Sequence, residues 1–330
     1  MELMHDPIMG KPAWMWAIFL GVVLVLLVLD IGVLHRKARA IGVVESLWMS
    51  AFYILIALLF GAWIWRELGA QSGSEYVTGF LIEKTLAIDN VFIISLIFTY
   101  FAIPAAYQHR VLFWGILGVI VLRAVMIGLG AALVAQFAWI LYVFAAFLIA
   151  TGIKMLMIGD KLPDIGNNPI LRLMRRTMRI TPELHQQRFM VTLPDPRTGK
   201  RVVWVTPLFV ALILIEVVDL IFAVDSVPAI FAITTDPFIV YTSNLFAILG
   251  LRALYFALAA VIARFKYLKQ ALALVLVFIG SKILIADLMG WDKFPASISL
   301  GATLALIAGG VIYSLYRTRQ QNARTQARTS

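Results

Sequence analysis

The chain has 330 residues, of which 62% are hydrophobic and 14% charged, with a formal net charge of +10 and a mean hydropathy of +0.92. Soluble domains run at roughly 45–50% apolar and 25% charged, so a soluble fold is excluded and an all-α polytopic membrane protein is expected. The positive excess then belongs to loops that orient the chain in a bilayer, not to nucleic-acid binding, and the lack of cysteine removes disulfides, thiolate metal sites and catalytic thiols.

Roughly 20 apolar residues cross a bilayer, which predicts about nine transmembrane helices at about 14–34, 43–65, 77–103, 111–135, 138–158, 206–233, 240–263, 270–289 and 297–316. The residues before the first span lack a basic n-region, so that span is expected to be retained. Basic clusters at His35-Arg36-Lys37-Arg39, His109-Arg110, the 161–205 loop, Arg264-Lys266-Lys269 and the tail from Arg317 fall on alternate connections. This pattern predicts an N-terminus outside and a C-terminus in the cytoplasm. The organisation expected is therefore helices 1–5 within 1–160, a basic cytoplasmic loop at 161–205, and helices 6–9 with a basic tail within 206–330. In the loop, PILRLMRRTMRI has the pattern of a basic amphipathic helix on the anionic lipids of the inner leaflet, and RFMVTLPDPRTGKRVVWV that of two short strands around a turn. A solvated connector is the plainer role for this loop; docking of other membrane proteins is the alternative.

Spans three and six each carry buried acids, in IEKTLAIDNVFII and IEVVDLIFAVDSVPAI. Carboxylates are costly at bilayer depth and mark ion pathways or binding sites by default. Aligning Asp225-Ser226-Val227 with Asp89-Asn90-Val91 puts Asp219 on Glu83, so the acidic pair recurs; Glu216 has no counterpart. Leu122-Arg123-Ala124 matches Leu251-Arg252-Ala253, and Gly152-Ile153-Lys154 matches Gly280-Ser281-Lys282. These markers define a three-helix unit occurring twice, at about 77–160 and 206–290. An odd offset in span number makes the copies an inverted repeat with a site expected between them.

Antiparallel packing of the two acidic helices would bring Glu83 level with Asp225 and Asp89 level with Asp219. Pro228 offers a local break that would turn both members of a pair toward one site. Glu83, Asp89, Glu216, Asp219 and Asp225, with Asn90 and Ser226, form an all-oxygen set suited to Mg2+, Ca2+ or Mn2+, while the four histidines lie outside the apolar cores. Such acids repel one another and lose hydration, so metal and protons compete for them. The plainer alternative is a set of structural ion pairs with Arg123, Arg252, Lys154 and Lys282. Arg123 and Arg252 are expected as gating or counter-charges, Asn244 as a further ligand or an interhelical hydrogen bond, and Lys154 and Lys282 as snorkelling anchors. Asp30 and Asp287 are expected in helix-end pairs, and Trp14, Trp16, Trp63, Trp65 and Trp204 in an interfacial belt. No GxxxxGK[ST], HExxH or GxSxG occurs, so no enzyme chemistry and no tightly bound cofactor are expected.

The run from Glu216 to Ala259, EKTLAIDN at Glu83–Asn90, and NPILRLMRR with LHQQRF in the loop together resemble the TerC/Alx family of bacterial integral membrane proteins. The resemblance implies an inner-membrane protein of the LysE transporter superfamily, whose members are linked to manganese export and tellurite resistance, with Alx-like members linked to alkaline pH. It also implies that the acids named above line a cation pathway. The expected function is thus export of divalent metal, Mn2+ foremost, in exchange for protons. A metal-sensing or complex-assembly protein and a LysE-like exporter of small organic solutes stand as alternatives.

Overall fold

The computed structural model describes residues 7–32, 42–137, 139–157, 165–166, 168–195, 199–259, 268–291 and 294–329, with side chains at 7, 30–32, 88–89, 225, 259, 268–269, 315 and 317–329 left out. Its long elements are all helices, as expected from composition. A two-residue hairpin, β1 (Pro7–Ile8) with β2 (Lys11–Pro12), precedes α1 (Ala13–Gly32). The hairpin is fastened by Trp16, whose Nε1 donates to the Ile8 carbonyl at 2.9 Å, and by Lys11, whose Nζ lies 2.9 Å from Asp236.

Helix α2 (Val43–Tyr100) spans 58 residues, but Gly69 inside it has φ 88° and ψ 173°. That conformation belongs to glycine alone. Across it the two halves lie side by side: the Tyr76 hydroxyl donates to the Ala57 carbonyl at 3.0 Å, the Tyr76 ring fills the space over Gly61, and Trp65 fills that over Gly73. Expected spans two and three are the two arms of this helical hairpin.

The chain continues through α3 (Ala105–Gln136), α4 (Ile140–Met157), the short α5 (Pro169–Thr177), an antiparallel pair β3 (Met190–Pro194) and β4 (Arg201–Val205), α6 (Pro207–Phe231), α7 (Pro237–Leu249), α8 (Leu251–Ala259), α9 (Leu268–Leu288) and α10 (Ala296–Thr329). Proline at N1 and a side-chain cap start two of these helices: Asn168 accepts from the Ile170 N–H at 2.9 Å, and Asp236 from the Phe238 N–H at 3.0 Å. The loop thus holds the amphipathic helix and the two strands expected of it. By length and composition six described helices can cross a membrane, or seven when α7 and α8, bent by 40° at their junction, count as one span. The expected nine spans would need each arm of α2 to cross separately and α1, whose apolar stretch is the shorter Ala13–Leu29, to cross as well.

The second arm of α2, α3, α6 and α7–α8 form the inner group; α4 packs along α9, α10 covers α9, and α1 lies against α7. The α4–α9 contact is reciprocal. A Cβ added at Gly152 would stand 2.6 Å from the Ala273 carbonyl oxygen and 2.7 Å from the Val277 side chain; one at Gly280 would stand 2.6 Å from the Ala145 oxygen and 2.8 Å from the Ile149 side chain. Each glycine faces the residues three and seven positions before the other, the self-complementary pattern of a two-fold axis. This is the contact that inverted copies of one unit require.

Two local expectations are corrected. Pro228 does not break α6, which runs on to Phe231, because one lost backbone bond within a turn of the C-terminus can be tolerated. The break instead comes at Gly250, between α7 and α8. Lys282 does not snorkel: it is buried and donates to Ser299 Oγ at 3.1 Å, because α10 covers that face of α9. Lys154 is exposed, as an anchor would be. Asp287 accepts from the Tyr142 hydroxyl at 3.1 Å, and the Asp30 side chain lies outside the described residues. Trp14, Trp63 and Trp16 cluster with Phe238 and Tyr241 at one end of the bundle.

Candidate functional site

Arg123, on α3, stands at the centre of the inner group and is 1% exposed. Its guanidinium grips Asp219 with two parallel bonds, Nε to Oδ2 and Nη2 to Oδ1, each 3.2 Å. This is the fork geometry that favours arginine over lysine at buried carboxylates. The Nη1 group donates to Glu83, to Ser226 Oγ at 3.0 Å, and to Asn244 Oδ1 at 3.4 Å. One guanidinium therefore collects the first acid of both repeats.

The acids are also tied to each other's motif. Asn90 donates from Nδ2 to Asp219 at 3.2 Å, and Ser226 hydrogen-bonds Glu83. Under the alignment that equates Glu83 with Asp219 and Asn90 with Ser226, these two contacts are the same contact seen from either repeat. Asn90 and Ser226 follow the second acid of each motif, so their cross-bonds put α2 and α6 in the antiparallel register expected, with Glu83 at the level of 225–226 and 89–90 at the level of Asp219. The side chains of Asp89 and Asp225 lie outside the described residues, although both positions are helical.

Several polar atoms around this hub are buried without a hydrogen-bond partner: Asn90 Oδ1, Asn244 Nδ2 and Glu216 Oε2. Asn244 is thus an interhelical hydrogen-bond acceptor with its amide nitrogen to spare. Glu216 stands one turn from Asp219, against Gly115 and Gly118 of α3, and a Cβ at Gly118 would overlap its carboxylate. Arg252, on α8, is also buried and lines a narrow cavity of about 20 Å³ with Asn90 and Asp219, space for about one water. Among the described residues no three His, Asp or Glu are grouped so as to hold a metal ion. Glu83 and Asp219 are engaged by Arg123 instead.

Lys84 is the charged group that reading of the acids passes over. Its Nζ donates to the Ala247 carbonyl at 3.2 Å, a cation on the C-terminal turn of α7, where the helix dipole favours one. Glycine at 250 makes the room, since a Cβ there would stand 2.7 Å from Nζ. The bend between α7 and α8 and the hub acid Glu83 are thus served by adjacent residues of α2. The signal lay in the spelling Glu83-Lys84, a second ionisable side chain at membrane depth.

The integral membrane protein TerC family matches residues 68–322. An uncharacterized membrane protein of Rickettsia felis is 50% identical over 302 residues, 92% of this chain and 97% of its own. A membrane protein of Myxococcus xanthus is 45% identical over 313 residues, 95% of each. The "Putative membrane-bound redox modulator Alx" of Photorhabdus laumondii is 44% identical over 326 residues, 96% of this chain and 99% of its own. No solved structure matches. Matched by the family over most of its length and by these relatives over more than nine-tenths of it, the chain belongs to the TerC family of integral membrane proteins.

Proposed function

We propose that this protein is a secondary transporter of a bacterial inner membrane, with its N-terminus outside and C-terminus in the cytoplasm, exporting divalent metal, Mn2+ foremost, in exchange for protons. The observation that carries the reading is the meeting of Glu83 and Asp219, one from each repeat, around Arg123 in the middle of the bundle. Acids drawn from two inverted units to one buried point are placed where alternating access needs its substrate site. The direction of transport and the preference for Mn2+ rest on the family resemblance.

Charge sets the stoichiometry. The two motif stretches and their arginines carry five acids, Glu83, Asp89, Glu216, Asp219 and Asp225, against three bases, Lys84, Arg123 and Arg252, a formal charge of −2. Uncompensated charge is expensive in a low-dielectric interior. One divalent cation or two protons neutralise it, so exchange of one for the other leaves these groups neutral in both states. Arg123 acts as a tethered counter-ion: it holds the acids when the metal is away and must yield oxygens when the metal loads. Asn90 Oδ1, already without a partner, adds a neutral ligand.

The name of the Alx relative speaks of redox modulation. These 330 residues contain no cysteine, so a redox effect of this chain would run through what it moves and not through thiols of its own. Titration calorimetry of Mn2+ into the purified protein, in buffers of different ionisation enthalpy, tests the exchange directly. About two protons should leave per Mn2+ bound, with binding weakened in Glu83→Gln and Asp219→Asn. Binding with no proton release sinks the exchange mechanism.

A further inference from the structure

The loop helix α5 lies across the ends of α2 and α6, and between them opens a cavity of about 560 Å³. Its walls combine apolar side chains, including Phe101, Leu171, Met178, Ile180 and Val210, with a polar surface at least as large, and Arg175 is the one charged residue among those described that line it. At the mouth Arg175 Nη2 donates to the Tyr100 hydroxyl at 3.2 Å. Two polar groups therefore stand at the mouth of a half-open cavity of the size that small-molecule sites occupy.

The outer side of α5 adds to this. Leu171 and Met174 are buried toward the bundle, Arg175 lies one turn on from Leu171 at the edge of that face, and Arg172 and Arg176 are exposed on the outer side. Leu173 and Met178 remain 60% and 40% exposed, apolar surface beside positive charge, which suits a helix lying in a membrane interface. Arg179 is not part of the offer, being paired with Asp195 at 3.2 Å. A soluble anion would use the arginines and leave apolar side chains such as Phe101, Met178 and Leu173 wet.

We propose that this cavity is a binding site for an anionic phospholipid, its phosphate held by Arg175 and the Tyr100 hydroxyl with Arg172 and Arg176 beside it, and an acyl chain laid along Phe101, Met178 and Val210. Guanidinium groups are the residues of choice for phosphate, and basic groups at a membrane surface draw anionic lipid. The lipid would bridge the ends of α2 and α6, the two helices that carry Glu83 and Asp219. The assignment does not depend on what the protein transports.

The test uses the full chain in neutral detergent, with bound lipid counted by intact-protein mass spectrometry against phosphatidylglycerol, phosphatidylcholine and inorganic phosphate. Phosphatidylglycerol is expected to bind over phosphatidylcholine by roughly tenfold, about the worth of one charge-assisted bond. Arg175→Gln, at an exposed position that should leave folding intact, is expected to abolish the preference, whereas Lys200→Gln, exposed on the β3–β4 turn and not among the residues that line the cavity, keeps it. Equal binding of the two lipids, an unchanged preference in Arg175→Gln, equal loss in Lys200→Gln, or displacement of phosphatidylglycerol by millimolar phosphate alone would each overturn the proposal.

Discussion

Arg123→Met is expected to lower stability by about 3–5 kcal/mol, the cost of leaving a buried charge without its partner, since Glu83 and Asp219 would then face each other with their shared cation gone. The measurement is thermal or denaturant unfolding in detergent. The same substitution made together with Glu83→Gln and Asp219→Asn is expected to recover most of the loss, because a neutral hub has no charge to leave unpaired. Such a triple variant would fold and would not transport. Arg123→Lys should fall between the two: it keeps the charge but loses the parallel pair of bonds to Asp219. If Arg123→Met alone is as stable as the native protein, Arg123 is not the electrostatic centre of the bundle.

Gly152→Ala and Gly280→Ala are each expected to destabilise by about 1–3 kcal/mol, the usual cost of overpacking. The new methyl in each would stand 2.6 Å from a backbone carbonyl, and a backbone cannot rotate out of the way as a side chain can. The two effects should be similar, since the contacts are reciprocal. The double variant should cost less than their sum, because one separation of α4 from α9 relieves both clashes. Gly309→Ala on α10, with open space around it, serves as the control and should be close to neutral. Strict additivity of the two glycine variants would argue that they do not share one interface.

Much of this architecture was legible in the residues because the constraints behind it are local or periodic. Apolar runs long enough to cross a bilayer announce themselves, and the matched glycines at 152 and 280 were readable as markers of a repeat before their role as the point of closest approach between α4 and α9 was visible. Antiparallel packing of the aligned repeats sets Glu83 level with 225–226 and 89–90 level with Asp219, two tiers, but it did not announce that Arg123 would join Glu83 and Asp219 across them. What did not follow is the asymmetry of the hub. Arg123 and Arg252 stand in the same Leu-Arg-Ala context, yet Arg123 reaches both acids while Arg252 lines a cavity beside one of them; side-chain direction across a bundle is set by packing, which a repeat in sequence does not encode. The break was sought at Pro228 and found at Gly250 for a related reason. A proline near a helix end costs little, whereas a glycine packed against Lys84 and Tyr53 holds a bend that nothing local announces. Glu216, beside the hub, owes its place to the missing side chain of Gly118 on another helix.

The central claim is that Glu83 and Asp219 give up Arg123 to take a metal ion and, in the opposite orientation, protons. The measurement that tests it most directly is Mn2+ flux into and out of proteoliposomes under an imposed pH gradient, comparing the native protein with Glu83→Gln and Asp219→Asn. Flux that follows the gradient in the native protein and falls to the level of empty liposomes in both variants is the expected result. Native protein that binds Mn2+ but moves none, or variants that transport at the native rate, would contradict it and point to a metal sensor or to a site elsewhere in the bundle.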